Sequence, residues 1–182
     1  MSARLADSDI TKIVVILGGV ADIENPTAEE LNAGVDITCA IAEGYELGMT
    51  ASDSRDSTRS ICDKGNRTNF GAANYSGELT LIREGDADAV ETESAYLRAA
   101  KFFTDRDIHF DLVRRGAVAD SPESAKSHTE PFVAGDVVEI FGFVTDYPAY
   151  RTGSGANNDA SFVQRLGQQS RFNTRAVVTD AA

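Results

Sequence analysis

At 182 residues the chain is long enough for one well-buried core and short for two. Its apolar fraction of 42% and charged fraction of 25% are those of a folded globular protein and argue against wholesale disorder. A net charge of −12 argues against a surface that grips nucleic acid, because phosphate binding needs clustered Lys and Arg; a negative wall past which nucleic acid slides stays open.

In chain order, Met1–Asp9 is a polar head, and Ile13–Leu17 is an apolar run that reads as a buried strand. That run is too short to span a bilayer and has no basic leader. Asn25–Gly34 reads as a short helix. Thr27 is placed to cap it, Glu30 completes a capping box, and Gly34 suits a left-handed stop. Asp36–Ile41 alternates, with Ile37, Cys39 and Ile41 on one face, and predicts a half-buried strand. Glu46–Ala51 is expected to pair with it after a turn at Gly44.

Asp53–Tyr75 is rich in Ser, Asp, Asn, Arg and Gly, and long irregular loops in compact domains tend to be functional or disordered. It reads as a long hairpin arm with a short strand near Thr58–Cys62. Ser76–Glu84 predicts a strand with Leu79 and Leu81 on one face. Asp86–Phe103 predicts the main helix. Asp86, Asp88, Glu91 and Glu93 fall in its first turns and Arg98 and Lys101 in its last, as the macrodipole favours. Val90, Leu97 and Ala100 form its expected stripe, with Tyr96 and Phe103 beside it.

Asp107–Arg115 alternates, placing Ile108, Phe110 and Leu112 inward. Asp136–Thr145 is apolar on both faces, as a strand covered on both sides should be. Ser161–Gly167 and Arg171–Thr179 read as two closing strands. Strands in this number around one main helix predict a mainly β (α+β) fold, a β sandwich or barrel with one flanking α-helix, in a single domain over residues 1–182 with the arm at 53–75.

Charge is uneven. Asp7, Asp9, Asp22, Glu24, Glu29, Glu30, Asp36, Glu43 and Glu46 face Arg4 and Lys12 in the first 52 residues, whereas Arg151, Arg165, Arg171 and Arg175 outnumber Asp159 and Asp180 after Pro148. This polarity allows one copy's acidic end to meet another's basic end, with Arg171 and Arg175 as the inter-subunit charges; a solvated surface with chance asymmetry gives the same pattern.

No motif carries catalysis, a metal or a cofactor. His109 falls on the polar face of a strand and His128 in a loop, without metal-pair spacing. Cys39 reads as a small core hydrophobe, and Cys62 has no histidine nearby in sequence. Two lone thiols argue against a disulfide framework, and the sequons at Asn66 and Asn74 carry no meaning in a chain made in the cytosol. Gly153-Ser-Gly155 lacks the strand-to-helix context of a phosphate loop.

The stretch Asn25-Pro-Thr-Ala-Glu-Glu-Leu-Asn-Ala-Gly-Val-Asp-Ile-Thr38 resembles the opening of major tail proteins, the tail tube subunits of long-tailed bacteriophages and prophages of actinobacteria. Asp56-Ser-Thr-Arg-Ser-Ile-Cys-Asp-Lys-Gly-Asn66 resembles that family's arm segment. The resemblance implies a tail-tube-like β sandwich or barrel whose copies form hexameric rings, stacked into a tube around a tape-measure protein. It implies further that double-stranded DNA passes non-specifically through the lumen, with no membrane partner and no cofactor. The subunit would be made in the host bacterial cytoplasm and end in the virion tail. The arm implied is Asp53–Tyr75, with Asp53, Arg55, Asp56, Arg59, Lys64, Arg67 and Phe70 as its assembly residues.

Two other readings stand beside this one. The chain is alternatively a β-sandwich decoration or binding module of a virion or cell surface, or an enzyme with a site assembled from distant loops around Cys62 or His128.

Overall fold

The computed structural model describes residues 10–56, 62, 68–83, 94–116, 126–151 and 160–180. Among these, the elements in chain order are β1 Lys12–Leu17, α1 Ala28–Ala33, β2 Val35–Asp36, β3 Glu46–Thr50, β4 Ser54–Asp56, β5 Thr68–Phe70 and β6 Asn74–Ile82. There follow α2 Ala95–Phe102, β7 His109–Arg115, β8 Val137–Thr145, β9 Ala149–Arg151 and β10 Ser161–Val177. Eight strands form one antiparallel sheet in the order β2-β1-β7-β8-β10-β6-β3, with β9 also on β10. β4 and β5 make a separate ribbon.

The sheet curls because its two ends are joined by one short segment. On the β1 side, the Ile37 N–H donates to Ile13 O at 3.1 Å; on the β6 side, the Ala42 N–H donates to Thr80 O at 2.8 Å. Between them the chain makes a 3-10 turn at Thr38–Ala40. The amphipathic helix α2 packs against this turn, β2 and β6, covering the gap. The result is the mainly β sandwich-like fold that alternation predicts.

Two apolar layers hold it together. Inside the curl, Ile13, Val15, Leu79, Leu81, Phe110, Leu112, Phe141, Phe143 and Phe162 pack with Ala99 and Phe103 of the α2 region. On the opposite face Val14, Ile16, Val113, Val138 and Ile140 pack with Leu31 of α1, Phe132 and Val178. β1, β7 and β8 are therefore buried on both sides, which explains why β8 is apolar on both faces.

Several local expectations are corrected. Asp36–Ile41 is not a continuous strand. Asp36 Oδ1 accepts from the Thr38 N–H at 2.9 Å and the Thr38 hydroxyl at 2.7 Å, and this side-chain turn breaks the extended run. β3 accordingly pairs with β6 rather than with the β2 segment, although Gly44 does turn the chain with φ +83°.

Thr27 caps α1 by accepting from the Glu30 N–H at 3.3 Å, but the Glu30 carboxylate accepts from the Ala21 N–H instead of closing the box. Gly34 has φ −65°, not a left-handed value. Glycine suits the close approach here, since a Cβ would lie a tight 3.1 Å from Ile16 Cγ1 and 3.2 Å from Val15 O.

The main helix is capped by Ser94, whose side chain accepts from the Leu97 N–H at 3.2 Å. Asp86–Glu93 precede that cap in sequence and lie outside the described residues. Ala99 faces the core while Leu97 is exposed, so the buried stripe is displaced from the one expected.

The two closing strands are one strand, β10, with two register shifts against β8. From Gln168 to Phe172 β10 takes four steps against two of β8, and from Asn173 to Ala176 three against two. The second shift adds a single residue, which reverses the side-chain alternation. Hence Phe172 packs on the inner layer and Ala176 on the outer one, four residues apart.

Candidate assembly surfaces

The segment expected to form an arm starts after β3 and returns at β6. Its base is closed by three bonds: the Asp53 N–H donates to Ala72 O at 3.0 Å, the Gly71 N–H to Asp53 O at 2.7 Å, and the Asn74 side-chain amide to Asp53 Oδ1 at 3.0 Å. Beyond this base β4 and β5 pair through Ser54↔Phe70, Arg55↔Asn69 and Asp56↔Thr68. Asp53 thus closes the base of the β4–β5 ribbon, Arg55 and Asp56 sit on β4, and Phe70 on β5 is 81% exposed. Arg59, Lys64 and Arg67, and the strand expected near Thr58–Cys62, fall outside the described residues; of that stretch Cys62 is described, and it is exposed.

Arg171 and Arg175 do not lie together. Arg171 sits within the first register shift of β10, where its Nε donates to Asp111 Oδ2 at 3.0 Å and its Nη2 to Val20 O. The Asp111 side chain is 3% exposed and that of Arg171 is 41% exposed, so Arg171 is both an internal strut and a half-exposed cation. Arg175 lies within the second shift and is exposed.

A second buried ion cluster shapes the 126–136 loop. Arg115 donates to Asp136 Oδ2 at 3.0 Å and to Pro131, Ser127 and Glu130 carbonyls, and Lys126 donates to Asp136 Oδ1. Burial pushes the Asp136 carboxyl up, but the hydrogen bonds from Lys126, Val133 and Arg115 outweigh it and hold it below the usual carboxylate range. Nothing local in sequence marks this cluster, since its members are joined by tertiary contact.

Cys39 is corrected most plainly. The 3-10 turn carries it out of the core alternation, and it is exposed with its sulfur 3.9 Å from His128 Nε2. A nucleophile–base pair needs a third group to orient the imidazole, yet His128 Nδ1 is buried without a hydrogen-bond partner among the described residues. His109 is exposed on β7, as expected. Among the described residues no group of three or more His, Cys, Asp or Glu is placed to hold a metal ion, and no helix is long and apolar enough to cross a membrane.

The described residues thus define a mainly β, sandwich-like protein: one curled antiparallel sheet with an apolar layer on each face and a separate β4–β5 ribbon. The chain belongs to the phage tail tube protein family, whose model matches residues 1–181. It is a structural tail tube subunit, which implies a place in the virion tail and partners among other copies and tail proteins. No curated protein and no solved structure matches the chain.

Proposed function

We propose that residues 1–182 form one tail-tube-like domain of the actinobacteriophage type, whose copies close into hexameric rings and stack into a tube around a tape-measure protein. Double-stranded DNA then passes through the lumen without specific contacts. The observation that carries this is the family match over residues 1–181 together with the ribbon that leaves the sheet at Asp53. In this reading the arm residues Asp53, Arg55, Asp56, Arg59, Lys64, Arg67 and Phe70 bind a neighbouring copy, and Arg171 and Arg175 face acidic groups of another. A heterologous contact that closes gives a ring, and one that does not close gives a filament. The acidic balance of −12 favours a wall along which phosphates slide.

Negative-stain microscopy of the concentrated protein tests the reading. Rings or tubes of uniform diameter are expected. Monomers at every concentration and salt would overturn it, and would favour the decoration-module alternative. Synthesis in the host cytoplasm follows from the same reading.

A further inference from the structure

The 17-residue strand β10 carries chemically opposite surfaces near its two ends. At its start, Ser161–Val163 pairs with β9, whose three residues are all exposed. Tyr150 of β9 is 64% exposed, with its ring 5.9 Å from Phe162 and the Arg83 guanidinium 5.3 Å from its centroid. Of the nearby cations, Arg106 is paired with Asp107 at 3.0 Å and Arg165 with Glu78 at 3.5 Å. Asp146 accepts from the Tyr147 N–H. Arg83 and Arg151 have no carboxylate within 4 Å among the described residues; Arg83 lies over the exposed tyrosine, and Arg151, next to it on β9, leaves the opposite face of this short strand. Tyr and Arg are the side chains most enriched at the centres of protein interfaces.

Toward its other end, β10 borders an acidic strip. The Asn173 side-chain amide donates to Ile23 O at 3.1 Å and Glu24 Oε2 at 2.9 Å, and the Thr179 N–H donates to Pro26 O at 2.9 Å. Asp22, Glu24 and Glu29 are exposed there and have no cation within the same 4 Å among the described residues. The nearby guanidinium of Arg171 is hydrogen-bonded to Asp111 and Val20 O and also attracts Asp22. Phe162 and Asn173 are separated by on the order of 30 Å of strand, which is too far for rim and strip of one copy to neutralise each other.

We propose that the Arg83–Tyr150–Arg151 rim of one copy docks on the Asp22–Glu24–Glu29 strip of a second copy. The two patches differ, so the contact is heterologous and repeats head to tail. It rests on the tube-subunit reading and names a contact distinct from the arm.

Charge exchange in the full chain tests it, with assembled mass read by sedimentation velocity at about 50 mM and about 500 mM salt. R83E/R151E alone and E24K/E29K alone should each lower the assembled fraction roughly tenfold at low salt, because like charges then face each other. An equimolar mixture of the two variants should recover assembly, since reversed rim meets reversed strip. R83Q/R151Q should weaken assembly less than the reversal. A cooperative thermal melt for each variant checks folding, and the glutamine variant serves if a reversal misfolds. If the wild type forms tubes and the rim variants form them equally well, or the mixture stays unassembled, the docking proposal falls while the tube reading stands. A wild type that never associates overturns the tube reading and the docking contact with it.

Discussion

Asp111 on β7 and Arg171 on β10 form an ion pair across a strand that lies between them, with Nε 3.0 Å from Oδ2. They meet because the β8 residue opposite Asp111 is Gly142, which has no side chain to block the path. A Cβ on Gly142 would sit 3.0 Å from Arg171 O and 3.2 Å from Asp111 Oδ1. The Val20 N–H adds a bond to the same carboxylate at 2.9 Å, so the pair also anchors the chain leaving β1. Reversing Arg171 would therefore strain the subunit as well as any contact between subunits.

Gly142→Ala should lower stability by about 1–3 kcal/mol, the usual cost of adding a methyl group where no space exists. Asp111→Ala should cost about 2 kcal/mol. Removal of a buried partner is expensive, but the half-exposed Arg171 regains water and reduces the penalty. Urea unfolding of the two variants checks both values, and an unchanged midpoint for Gly142→Ala would contradict the close approach.

Asp136 gives a pH dependence of defined sign. Its folded carboxyl titrates below the unfolded value of about 3.9, so its contribution is present above that pH and is lost as pH falls through the lower, folded value. The melting temperature of the wild type should drop as pH is lowered below about 4. In Asp136→Asn the drop should be shallower and the starting stability lower, which thermal melts between about pH 2 and 7 would show.

Tyr75 ties the first shift of β10 to the inner layer. Its hydroxyl lies 2.7 Å from Gly142 O and 3.1 Å from Arg171 O and accepts from the Gln169 N–H at 3.0 Å, while burial raises its pKa. Tyr75→Phe keeps the ring contacts with Phe141 and Phe143 and should cost about 1–2 kcal/mol from the unpaired amide alone. Faster hydrogen exchange at Gln169, with protection elsewhere retained, is the expected local signature.

The arm can be removed at its base, because Asp53 and Gly71 are already hydrogen-bonded neighbours. Deleting residues 54–70 and joining Asp53 to Gly71 should leave a subunit with a cooperative melt that no longer grows tubes. Loss of the cooperative transition would show that the ribbon stabilises the fold and is not an assembly arm. Phe70→Ser should preserve the melting temperature within about 0.5 kcal/mol equivalent, since an exposed side chain contributes little to the isolated subunit.

Much of the fold was legible from local pattern. The runs at Ile13–Leu17, Leu79–Leu81, Phe110–Leu112 and Val138–Phe143 advertise strands because burial of a face requires alternation, and burial of both faces requires its loss. The family was legible through two short motifs. What sequence alone could not decide depended on groups distant in the chain. Cys39 alternates perfectly with Ile37 and Ile41, yet the Asp36 turn, held against Ile13, lifts it to the surface beside His128. Phe172 and Ala176 share a parity but face opposite layers because β8 sets the register of β10. Arg171 reads as a surface charge until Gly142 opens its path to Asp111. Alternation is a property of neighbouring residues and survives in the sequence, whereas register, edge closure and ion pairing are decided by which strands meet, and that is settled by tertiary packing.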